Sequence, residues 1–143
     1  MKIPSLSLAI LFALQGTLAA ADWSHYRGPE GDGSSPEPIR TDWAARSPRV
    51  VWKRAIDPAW SSVTVSGGKV FTQVNRRVGG QRRELCVALD TASGAELWSA
   101  DLDTASYPDG GTGSTDGPRS TPTVEGDRAV SYTHLTLPTT PYV

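Results

Sequence analysis

Cysteine occurs once in this sequence and histidine twice, and no uninterrupted apolar run is long enough to span a bilayer comfortably. Each scarcity closes a class of function. A lone cysteine, Cys86, makes no internal disulfide, and paired-cysteine zinc or redox motifs need a second thiol. Cys86 lies inside an apolar stretch, so it reads as a small core hydrophobe; a catalytic thiol needs exposure and a nearby base. His25 has no companion His or Cys at ligand spacing and reads as a surface or packing histidine. A formal net charge of −1 supplies no clustered basic surface of the kind nucleic acid requires. Helix-favouring runs are also scarce, whereas the chain carries 14 glycines and 11 prolines, which punctuate it into short segments.

The first residues read as a targeting segment. Lys2 starts it, Ile3 to Leu18 is largely apolar with Ser and Pro interruptions, and Leu18-Ala19-Ala20-Ala21 offers the small residues that signal peptidase cuts. The expectation is a secretory signal peptide over 1–21, a mature chain in the periplasm or outside the cell, and no stable membrane insertion. Residues 22–48 form an irregular leader with Trp23, Tyr26 and Trp43, aromatics expected to pack against something.

The organising stretch is Ala88-Leu89-Asp90-Thr91-Ala92-Ser93-Gly94-Ala95-Glu96-Leu97-Trp98. Leu85, Cys86, Val87 and Leu89 follow one another in near-continuous apolar order, which suits a strand buried on both faces. Asp90, Thr91 and Ser93 can bond their local backbone, and Gly94 can take the positive φ that closes a tight turn. A return strand from Ala95 to about Leu102 puts Leu97 and Trp98 on opposite faces. Further strands are expected at Val50–Lys53, Ser62–Val65 and Lys69–Val74, with Gly67-Gly68 as a hairpin turn and Asn75 to Arg83 as a connection. Four arginines in that connection, around Gly79-Gly80, read as a solvated hairpin tip, because no aromatics are interleaved with the charges.

The sequence also repeats itself. Trp52 and Trp98 stand 46 apart, near the period of propeller blades, and Val63 to Val70 returns as Pro122 to Ala129 at an offset of 59. The difference falls in the Gly- and Asp-rich insertion 103–119. Its run from Asp109 to Gly117 lacks the lysine of a phosphate loop, and from Asp101 and Asp103 the calcium-loop rhythm fails at Ala105; a rim connector is the expectation.

The spacing of Ala88, Asp90, Gly94 and Trp98 resembles the tryptophan-docking repeat of pyrroloquinoline quinone (PQQ) propellers, and Trp23-x-x-Tyr26-Arg27-Gly28-Pro29 and Gly117-Pro118-Arg119 resemble flanking segments of the same family. The resemblance implies an all-β fold: a β-propeller of four-stranded antiparallel blades, here the first blade at 49–102 and the start of a second at 120–130. It implies that Trp98 docks between adjacent blades, with Ala88, Asp90 and Gly94 shaping the turn. Residues 131–143, His134 among them, resemble a translated sequencing adapter and are expected to be a non-native tail on a fragment of a longer protein.

No catalytic, cofactor-binding or metal-binding constellation is visible in the sequence. The resulting expectation is a non-catalytic extracytoplasmic scaffold, similar to the periplasmic propeller of outer-membrane protein assembly, meeting protein partners through its loops. The alternative implied by the resemblance is part of a quinoprotein dehydrogenase, with PQQ and calcium held in blades not present here.

Overall fold

A computed structural model describes residues 21–105 and 117–132. The expected signal peptide, apart from Ala21, most of the expected inserted loop, and the expected non-native tail from residue 133, with His134, lie outside the described residues. The described part is all-β, without a helix, in two antiparallel sheets. The first has four strands in sequential order: β1 (Thr64–Ser66), β2 (Lys69–Val78), β3 (Gln81–Asp90) and β4 (Glu96–Thr104). The second pairs β5 (Thr123–Glu125) with β6 (Arg128–Val130).

Local chemistry sets the turns. A two-residue hairpin loop of type I′, whose twist matches the strands, needs positive φ at both central positions, and Gly67-Gly68 and Gly79-Gly80 supply it, at 54° and 72° and at 58° and 85°. The second turn corrects an expectation. Asn75 to Arg83 is not a connection; β2 runs on to Val78 and β3 begins at Gln81. Polar composition hid the strands, because their backbone groups bond across the ribbon whatever the side chains are. Val50–Lys53 is corrected in the other direction: it forms no strand, and Val50 and Val51 are exposed.

The middle of the sheet is covered on both faces. Opposed pairs share a face, so Val74, Leu85 and Val87 pack on one side, with Ala59 laid over them. On the other side Phe71 and Ala88 pack against Val124 of the second sheet. That double cover explains the unbroken apolar run of β3, whose residues Leu85 to Leu89 are all buried. Trp23 and Val65 exchange backbone bonds of 2.8 and 2.9 Å, and the next residue, Ser24, accepts from Val124 N–H at 2.7 Å. Two leader residues therefore stitch both sheets together. Of the three leader aromatics expected to pack against something, Trp23 packs over Gly28, whereas Tyr26 and Trp43 are largely exposed.

One polar side chain is costly. Gln73 is fully buried opposite Cys86, and neither its amide nitrogen nor its oxygen has a hydrogen-bond partner. An orphaned buried polar group costs about 1–3 kcal/mol, and an apolar chain of similar shape avoids the penalty. Gln73→Met is therefore expected to stabilise β2 by about 1–2 kcal/mol. Hydrogen exchange at the Thr72 and Val74 amides should slow accordingly; faster exchange would contradict it.

Candidate functional site

The stretch after β3 folds as a self-bonded turn. Asp90 Oδ1 accepts from the Ala92 and Ser93 amides at 3.1 and 2.8 Å and from Ser93 Oγ at 2.6 Å. These bonds, the Ser93 hydroxyl first, hold the Asp90 carboxyl below its ordinary range. The Gly94 amide donates to Asp90 O at 2.8 Å, with Gly94 at φ 69°. Thr91 ties the turn to the β1–β2 hairpin, both its amide and its hydroxyl donating to Gly68 O.

Trp52 docks on this turn. Its indole N–H donates to Thr91 O at 2.8 Å, and its ring lies so close over Gly94 that a Cβ there would sit 2.6 Å from the ring carbons. The residues that follow extend the clamp. Arg54 reaches Gly94 O and Glu96 at 3.3 Å, Asp57 meets Arg76 at 2.7 Å, and Arg76 grips both Glu96 oxygens at 2.8 and 3.0 Å. The segment from Trp52 to Asp57 is thereby strapped across the face that holds Val74 and Leu85.

Hydrogen bonding from Arg76, chiefly, holds the Glu96 carboxyl below its ordinary 4.5 and pushes the Arg76 guanidinium upward. A carboxylate whose folded pKa is depressed stabilises the fold above its unfolded value, and the contribution disappears as pH falls through the folded pKa. Because the pair is partly exposed, the contribution is about 1 kcal/mol or less. Denaturant titrations between pH 6 and 3 are expected to show this loss below the ordinary glutamate range, and Glu96→Gln should remove that part of the pH dependence. An identical acid limb in both proteins would rule it out.

Trp98 is placed differently from Trp52. It sits opposite Ala88 in register and tilts onto Phe71, ring centroids 5.9 Å apart, at 40 % exposure. Beside it opens a groove of about 260 Å³ bounded by Phe71, Val124 and Arg128. Among the described residues no turn covers it as the Asp90–Gly94 turn meets Trp52. Sequence reasoning singled out Trp98 and missed the docking of Trp52; the recurrence of tryptophan at both positions was the signal that could have found it.

The other candidates have structural partners. Cys86 is buried, and desolvation pushes its thiol up to about 11, so it stays protonated at neutral pH. His25 Nε2 donates to Pro29 O at 3.1 Å, which leaves Nδ1 to accept from Ser24 Oγ at 3.0 Å in the neutral ring. Among the described residues no three His, Cys, Asp or Glu side chains are grouped to hold a metal, and no helix is long and apolar enough to cross a membrane. Compared with known proteins, the chain matches no family model, no curated protein and no solved structure.

Proposed function

We propose that this chain belongs to a non-catalytic, extracytoplasmic scaffold of the PQQ-like propeller type, whose first unit is the β1–β4 sheet and whose second begins at β5. One observation carries the reading: the unit recurs in register. Thr64, Val65 and Ser66 pair with Phe71, Val70 and Lys69, while Thr123, Val124 and Glu125 pair with Val130, Ala129 and Arg128, every residue displaced by 59. A four-stranded antiparallel meander followed by the same opening hairpin is the pattern of repeated blades.

The docked Trp52 supports the same reading from the other end. It is met by the Asp90–Gly94 turn of the unit that follows it, and Trp98 stands at the corresponding position of the next interval. In the scaffold reading a later unit brings an equivalent turn over Trp98, and the loops at the sheet ends are left to receive protein partners. The assignment to secretion rests on the apolar N-terminal segment.

The test is recovery and structure determination of the complete reading frame. Under this proposal an Asp-x-x-x-Gly turn covers Trp98, further four-stranded units follow, and the protein reduces no dye when supplied with PQQ and calcium. Quinone- and calcium-dependent dye reduction would overturn the scaffold in favour of a dehydrogenase. A complete protein that leaves Trp98 open would overturn the repeat itself.

A further inference from the structure

The tip of the β2–β3 ribbon places four arginines in two directly opposed pairs, Arg76 with Arg83 and Arg77 with Arg82. Like charges facing each other across a sheet are unfavourable, since opposed residues stand only about 4.5–5.5 Å apart. The two pairs are treated differently. Arg76 is met by Asp57 and Glu96, and Arg83 by Asp101 through three bonds of 2.8 to 3.0 Å. That pair is neutralised by the fold.

Arg77 and Arg82 lie on the opposite face, and among the described residues no carboxylate comes within ion-pair distance of either guanidinium. The acids on their own face are Glu84, one pair further in and buried, and Asp103, opposite Glu84. Arg77 is also held in place, its Nη1 donating to Gly80 O at 3.1 Å within the two-glycine turn. Two arginines in direct register on one face, with unspent guanidinium donors and one of them, Arg77, held by Gly80 O, suit an oxyanion that accepts from both. A phosphate group fits better than a carboxylate, because it offers more oxygens and up to two negative charges to a doubly positive pair.

We infer that Arg77 and Arg82 form a phosphate-binding site at the β2–β3 tip. The group is either free phosphate or the phosphate of a lipid headgroup. The only large apolar side chain at the tip is Val78, half exposed, and the tip carries no aromatic on which bases could stack.

The experiment has two arms on the full chain at constant ionic strength. Inorganic phosphate is titrated and followed by phosphorus NMR linewidth, and flotation is compared on phosphatidylglycerol and phosphatidylcholine vesicles. Arg77→Gln and Arg82→Gln are set beside Arg40→Gln, a surface arginine already paired with Asp42. The expected result is saturable phosphate binding that weakens about tenfold in either tip variant and is unchanged in Arg40→Gln. Flotation on phosphatidylglycerol alone, lost in the tip variants, assigns the headgroup; saturable phosphate binding without flotation assigns the free anion. Equal behaviour of all four proteins in both arms, or equal displacement of phosphate by chloride, would overturn the site. Unchanged amide exchange at Val78 shows that the tip variants keep the hairpin.

Discussion

Gly94→Ala is expected to destabilise the Asp90–Gly94 turn by about 3 kcal/mol, read as a loss on the order of a hundredfold in amide protection at Thr91 and Gly94. Two costs combine. Gly94 sits at φ 69°, where an alanine pays about 1–2 kcal/mol for its Cβ. The new carbon would also lie 2.6 Å from the Trp52 ring, so the indole must lift away and release its 2.8 Å bond to Thr91 O. Losing that bond and the ring contact adds about 1–2 kcal/mol. The two costs separate in a double-mutant cycle. In a Trp52→Ala background only the backbone penalty remains, so Gly94→Ala should then cost about half as much. An undiminished loss in that background would mean that the indole does not bear on the turn.

The local grammar of this chain was legible because it depends on neighbours in sequence. Gly-Gly turns, the Asp90 turn and the doubly buried β3 all follow from residues within a few positions of one another, and the structure places them as the pattern implies. The offset of 59 between the two opening hairpins was legible for the same reason, and the pairing on either side of each two-residue turn follows it. What escaped were decisions made by distant partners. Trp52 reads locally like an ordinary strand residue, yet its segment forms no strand and its indole bonds a carbonyl 39 positions away. Arg76 and Arg77 read as one basic loop, yet alternation along β2 sends the first toward Asp57 and Glu96 and the second to the other face. The Trp23–Ser24 stitch was invisible because it uses only backbone groups, which carry no side-chain signature.

The second large effect is expected at Gly117, where the same substitution acts by a different route. Gly117 does not sit at positive φ, so alanine suffers no conformational penalty there. Its Cβ, however, would lie 2.3 Å from Pro58 O and 2.5 Å from Ala59 Cα. These are backbone atoms, and no rotamer change relieves them. The chain entering β5 must withdraw from the segment that leads into β1. That withdrawal strains the Trp60 amide bond to Pro118 O, 3.0 Å, and the Ser62 amide bond to Thr121 Oγ1, 3.1 Å, and uncovers the fully buried Pro122. Overpacking of this kind costs about 1–3 kcal/mol and each hydrogen bond about 1 kcal/mol, so a loss of about 3–4 kcal/mol is expected at the junction between the two sheets. Gly126→Ala is the matching control. It keeps the positive φ, 58°, but meets nothing within 4 Å, so its cost should be only the backbone term of about 1–2 kcal/mol, confined to the β5–β6 turn. Hydrogen exchange should therefore accelerate at Trp60 and Ser62 in Gly117→Ala, leave Val78 at the far tip unchanged, and spare all three in Gly126→Ala. If Gly117→Ala left Trp60 and Ser62 as protected as before, the second sheet would not be held against the first by this contact, and the stitch at Ser24 and the Phe71–Val124 packing would have to hold it alone.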